Sequence, residues 1–230
     1  MTTTDRTIRL RTRSALSIVA SCTVLATTAA LTPALLTPAH AVPTTNSPTT
    51  ALQRSEPLPH RVAHRDARRD VFVFDLPDDS SRPAPRNRTT DVRTTVVDHR
   101  ADELLIRTRV RQLSRSGYRL MVSEILTSDG RRYELVVDYS LRPIGPRISL
   151  TRSGSAADVS CPDASWSFTG SVEQIEATVP TSCLRTPGWV RVGVGVVSSP
   201  RDLTRSWADD SRTRGRVGEH LVLGPRQPRA

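Results

Sequence analysis

An all-β protein, an antiparallel β-sandwich of about eight strands with jelly-roll or Greek-key connections, is the fold class this sequence predicts. Two patterns in the sequence point to it, and one absence. Apolar side chains recur at alternate positions, as in Leu104, Ile106 and Val110, in Tyr133, Leu135, Val137 and Tyr139, and in Val190, Val192, Val194 and Val196. Period two is the mark of a strand with one face buried. Turn-forming clusters such as Ser128-Asp129-Gly130 and Pro187-Gly188 punctuate these runs. No window carries a convincing helical period, which argues against an α/β enzyme.

Taken in order, the chain opens with Arg6, Arg9, Arg11 and Arg13, then an apolar run from Ala15 to Leu36, then Ala39-His40-Ala41. A charged start, an apolar middle and a small-residue exit predict a signal peptide over 1–41 and a secreted, extracellular protein. Val19-Ala20-Ser21-Cys22 has the look of a lipobox, but only Ser14 to Ser21 separate it from the arginines and the apolar run continues beyond it. A lipid anchor at Cys22 is therefore disfavoured. No later stretch reaches the roughly 18 apolar residues of a transmembrane segment. Residues 42–90 are rich in Pro, Thr, Ser, Arg and Asp and show no period. They read as a disordered or extended arm, with Val71–Leu76 as a lone strand.

The sandwich domain is expected over 91–224, with 225–230 as a tail. Strands are expected at Val92–His99, from Leu104 to about Arg111, and at Tyr118–Leu126. Others are expected around Tyr133–Tyr139, Arg147–Arg152, Ala157–Cys161, Ser165–Thr169, Val172–Val179 and Trp189–Ser198. A short helical turn fits Thr181–Arg185, and His220–Leu223 fits a last edge strand.

The 33 basic residues are all arginine, against 23 acids, for a net charge of +10. The excess is spread along the chain rather than gathered in a patch, so nucleic acid is not an expected partner. Cys161 and Cys183 are an even pair in an exported chain and predict a disulfide. On the chain-entropy argument that link contributes about 3 kcal/mol.

The stretch from Asp91 to Leu223 resembles a group of uncharacterised exported proteins of high-GC Gram-positive bacteria. Asp91-Val92, Val97-Asp98-His99-Arg100, Ser182-Cys183-Leu184, Trp189-Val190-Arg191-Val192-Gly193, Asp209-Asp210 and Gly218-Glu219-His220-Leu221 carry the likeness. More distantly, the strand plan is similar to DOMON-like sandwiches and carbohydrate-binding modules. Neither resemblance implies an activity.

Motifs for catalysis are scarce. There is no G-x-S-x-G and no H-E-x-x-H. Gly193-Val194-Gly195 lacks the third glycine and the following helix of a phosphate loop, and reads as close backbone packing. His60 and His64 sit at i, i+4 spacing with no third ligand nearby. A haem site of the DOMON kind would pair Met121 with His99 or His220, although Met121 reads as core. Arg107, Arg109 and Arg111 would stand on one face of a strand, spaced to grip an anionic polymer or glycan, unless Glu124, Glu134 or Asp138 pairs with them. Asp209 and Asp210, in a loop with Asp202 upstream, are carboxylates of the kind that hold Ca²⁺. The function expected is a non-catalytic module binding an envelope or extracellular ligand. The alternatives are a secreted hydrolase with a carboxylate-based site, and a haem- or calcium-binding domain.

Overall fold

The computed structural model describes residues 59–75, 77–113, 116–140, 147–155, 157–214 and 217–230. The expected signal peptide and the first part of the expected arm lie outside these residues. The described residues form an antiparallel β-sandwich of two sheets. The strands are β1 (Arg61–Arg65), β2 (Phe72–Asp75), β3 (Ser80–Pro83), β4 (Val92–His99), β5 (Glu103–Val110), β6 (Tyr118–Thr127), β7 (Arg132–Asp138), β8 (Arg147–Arg152), β9 (Ser165–Thr169), β10 (Gln174–Pro180), β11 (Trp189–Ser199), β12 (Arg205–Asp210) and β13 (Gln227–Pro228). One sheet runs β1-β4-β5-β10-β9 and the other β3-β2-β12-β11-β6-β7-β8, with β13 added beside β11. Among the described residues no helix is long and apolar enough to cross a membrane.

The alternation read from sequence becomes the core. Leu104, Ile106, Val110, Ile175, Ala177 and Val179 from the five-stranded sheet meet Met121, Ile125, Tyr133, Leu135, Val137 and the four alternate valines of β11. Burying each such side chain is worth roughly 1.5–3 kcal/mol. Ser128 to Arg131 form the turn between β6 and β7, with Gly130 at φ +80°.

Four expectations need correction. Residues from Arg61 on are not an arm, because β1 joins the edge of one sheet and β2 and β3 close the other. β2 is the strand expected at Val71–Leu76, whereas β1 escaped notice because none of its residues is buried. An edge strand is held by its backbone ladder and needs no apolar face. Ala157–Cys161 is not a strand; Asp158 makes a single bridge to Thr151, and Pro162 follows immediately. Arg205–Asp210, expected as loop, is β12. Finally, His220–Leu223 is not a strand, and the C-terminal strand is β13 in the expected tail.

Instead, residues 217–224 form a strap across the outer face of the eight-stranded sheet. Val217 and Leu221 pack there on Val122 and Ala208 in a second, smaller apolar cluster. The Leu221 N–H donates to Glu124 Oε2 (3.1 Å), the Val222 N–H to Asp210 Oδ2 (2.9 Å) and the Gly224 N–H to the Val192 carbonyl (2.9 Å). Gly193 and Gly195 are the floor of this contact, since a Cβ there would lie 2.8 Å and 2.9 Å from Leu221. The glycines are thus the close-packing pair that the sequence suggests.

Candidate cation-binding site

The chain leaves β1, crosses from the five-stranded to the eight-stranded sheet over residues 66–71, and enters β2. Two carboxylates flank this crossing, Asp66 and Asp70. A third, Asp209, comes from β12, the strand that pairs with β2. One carboxylate oxygen from each of the three lies within 4.8 Å of the other two. Asp66 is only 9% exposed and Asp209 2%. Asp91, 1% exposed, stands just before β4 and adds its charge to the group.

The local chain explains this convergence. The Asp66 N–H extends the β1–β4 ladder to the Arg93 carbonyl (3.1 Å), and Asp66 Oδ1 accepts from the Ala67 N–H (2.7 Å). Arg69 takes a left-handed φ of 66°, which turns the chain toward β2. Asp209 Oδ2 accepts from the Val92 N–H (2.8 Å) and so ties β12 to the start of β4 across the sandwich.

What remains is charge without partners. Among the described residues, Asp66 Oδ2 and both oxygens of Asp70 are buried with no hydrogen-bond partner, and none of Asp66, Asp70 and Asp209 makes an ion pair. Burying an ionised carboxylate costs several kcal/mol unless it is compensated. Burial, reinforced by Asp70, pushes the Asp66 carboxyl up to about 8. Burial, with Asp66, Asp70 and Asp91 adding to it, pushes Asp209 up to about 9. Asp70 is raised by burial, with Asp91 adding to it and its own backbone N–H and Arg214 opposing.

Two remedies exist for such a group: protons, or a cation. Calcium binds carboxylate oxygens at about 2.4 Å, so oxygens up to about 4.8 Å apart can share one ion. The donor set is all oxygen, the choice of a hard cation rather than of zinc or copper.

The other sequence-derived residues fall elsewhere. Asp210, next to Asp209, points to the opposite side of β12, where its oxygens accept the Arg212 and Val222 N–H groups. Strand alternation separates the two, so the expected Asp209–Asp210 pair is replaced by Asp209 with Asp66 and Asp70. Asp202 caps an exposed turn through Thr204. Arg107 pairs with Glu176 at 2.5 Å, Arg109 Nε donates to Gln174 Oε1 at 3.2 Å, and Arg111 Nη1 reaches Asp91 Oδ2 at 3.4 Å. Glu124, Glu134 and Asp138 lie in the other sheet; β5 register selects Glu176 and Gln174 instead. Arg111 is therefore a counter-charge at the edge of the acidic group.

Met121 is fully buried between the sheets, whereas His220 stands outside on the strap, so these two are not brought together. His99 is fully buried, with Nδ1 3.1 Å from the Gln227 carbonyl. His60 faces Asp98 at 3.8 Å, and His64 is half-buried further along β1. Trp189, which its valine-rich strand suggests is core, is half-buried under the Arg226 guanidinium, 4.4 Å above its ring. Cys161 and Cys183 form the expected disulfide, with Cα atoms 5.7 Å apart.

Asp66 and Asp70 are absent from the sequence-based list because their segment carries no apolar period. Their signal would have been two acids flanking Ala67-Arg68-Arg69 between a short polar strand and the Val71–Leu76 run. No family model, characterised protein or solved structure matches this chain.

Proposed function

We propose that this protein is an exported, non-catalytic β-sandwich module that holds one divalent cation, of calcium type, between its sheets. The observation that carries the reading is the meeting of Asp66, Asp70 and Asp209, with buried oxygens that no protein group satisfies. The depth of the site favours binding over catalysis: with Asp66 9% and Asp209 2% exposed, a polymeric substrate has no approach to them. The disulfide fits an extracellular protein, and extracellular modules bind calcium at roughly 10⁻⁴–10⁻³ M. In this reading the ion stiffens the scaffold, and the outer surface meets the envelope or extracellular ligand. Within the arginine row, Arg109 is the best-placed contact for an anionic ligand, since it is exposed and bonded to a neutral glutamine while Arg107 and Arg111 pair with acids.

The test is thermal unfolding of the purified protein with CaCl₂ and with EDTA. At a concentration of about 100 times Kd, binding to the folded state alone adds about 2.7 kcal/mol, several degrees in Tm. Equal Tm values in both conditions would contradict the reading.

A further inference from the structure

The ligating carboxylates are distributed in a way that gives the cation a specific task. Asp66 closes β1, Asp70 precedes β2, and Asp209 belongs to β12, so an ion among them would join the edge of one sheet to the interior of the other. β1 has little else to hold it. It pairs only with β4, over the five positions Arg61 to Arg65, and its residues alternate between exposed and half-buried. Beyond the ladder, the His60 carbonyl accepts from the His99 N–H (2.9 Å). Between 59 and 75, the buried apolar residues are Val71 and Val73, which lie past the crossing. On β1 itself the apolar hold is one half-buried side chain, Val62.

The acidic cluster is not the only observation. Asp66 is itself more than nine-tenths buried, and its Oδ2, on the carboxylate that joins the group, has no hydrogen-bond partner. A side chain that deep and that unsatisfied calls for a ligand. Without one, the simplest relief for three crowded carboxylates is movement of the element that carries two of them. That element is the end of β1 with its crossing. The third carboxylate is fixed, because β12 lies between β11 and β2 in the larger sheet.

We infer that the cation is a latch: its occupancy decides whether β1 and the crossing stay docked on the sandwich, and its removal frees the edge of β4. This rests on the cation reading above and adds regulation to it. When β1 leaves, the outward N–H and C=O groups of β4 that it satisfies become an open, strand-accepting edge.

Hydrogen–deuterium exchange of the purified protein tests the latch, with CaCl₂ or EDTA present and terbium luminescence read in parallel as a direct report of occupancy. With calcium, peptides covering 61–66 should exchange at least about tenfold more slowly than in EDTA, while peptides from β6 and β11 change little. In Asp70→Asn, which keeps the side-chain volume and removes one charge, the calcium dependence of 61–66 should vanish while the fold persists. Terbium binding without any change in exchange of 61–66 would overturn the latch and leave the cation site standing. Absence of terbium and calcium binding would overturn both.

Discussion

The five-stranded sheet has two edges, and they are fastened by different chemistry. At one edge β9 is exposed except for Trp166, which is half-buried against the core, and at the other β1 alternates between exposed and half-buried residues. Neither strand contributes a buried apolar side chain to hold its place. The β9 edge is closed by a covalent bond, since Cys161 just before β9 is joined to Cys183 just after β10. The β1 edge meets carboxylates, of which Asp66 Oδ2 and both oxygens of Asp70 have no hydrogen-bond partner. The contrast teaches that an edge strand with only a half-buried apolar side chain, Trp166 in β9 and Val62 in β1, gains a fastener of another kind. One fastener here answers to redox conditions and the other to cation concentration.

The largest expected effect comes from breaking the covalent side. A Cys161→Ser/Cys183→Ser double variant opens a loop spanning 22 positions and should lose about 3 kcal/mol in urea unfolding. In that variant the amides of β9 should gain exchange while those of β1 keep their calcium response. Loss of the calcium response together with the disulfide would mean that the two edges are coupled, and the comparison would fail.

How much of this was legible in sequence follows from the same contrast. Strands β4 to β8, β10 and β11 carry apolar residues at alternate positions, and the sequence marks them to within about two residues. β9 lies where a strand is expected, at Ser165–Thr169. β1 was missed because Arg-Val-Ala-His-Arg, half exposed throughout, looks no different from a solvated arm. With β1 went Asp66 and Asp70. Asp209 was recognised as a candidate ligand, but its partners are about 140 residues away along the chain, and no local spacing encodes a contact that tertiary folding creates. The arginine row shows the complementary limit. Period two placed Arg107 and Arg109 on one face, while the register with β10 decided that Glu176 and Gln174 would meet them.

A smaller effect separates the two edges by pH. His99, fully buried at the end of β4, is held below its ordinary value, chiefly by burial, with Arg229 adding and the Gln227 carbonyl opposing. Because its folded value lies below its unfolded value, its contribution is intact above about 6.5 and is lost as pH falls through and below that point. Its backbone N–H donates to the His60 carbonyl and its carbonyl accepts from the Ala230 N–H, so charging His99 strains the places where β1 and the C-terminal strand meet β4, while protons on Asp66, Asp70 and Asp209 relieve the crossing. Measured in EDTA between pH 7.5 and 5, stability should rise as the Asp66 and Asp209 carboxyls, raised to about 8 and about 9, take up protons, and it should rise more in His99→Gln than in the parent. Equal slopes would remove His99 from the account.

The central claim, that the buried acids are there for a cation, is tested most directly by comparing the stability of the parent and Asp70→Asn, each with calcium and with EDTA. In EDTA the variant should be the more stable of the two, because one buried charge and its repulsions are gone. With calcium the order should reverse, because the variant has lost a ligand. A crossing of this kind is the result the account predicts. A variant that is less stable than the parent by the same amount in both conditions would contradict it.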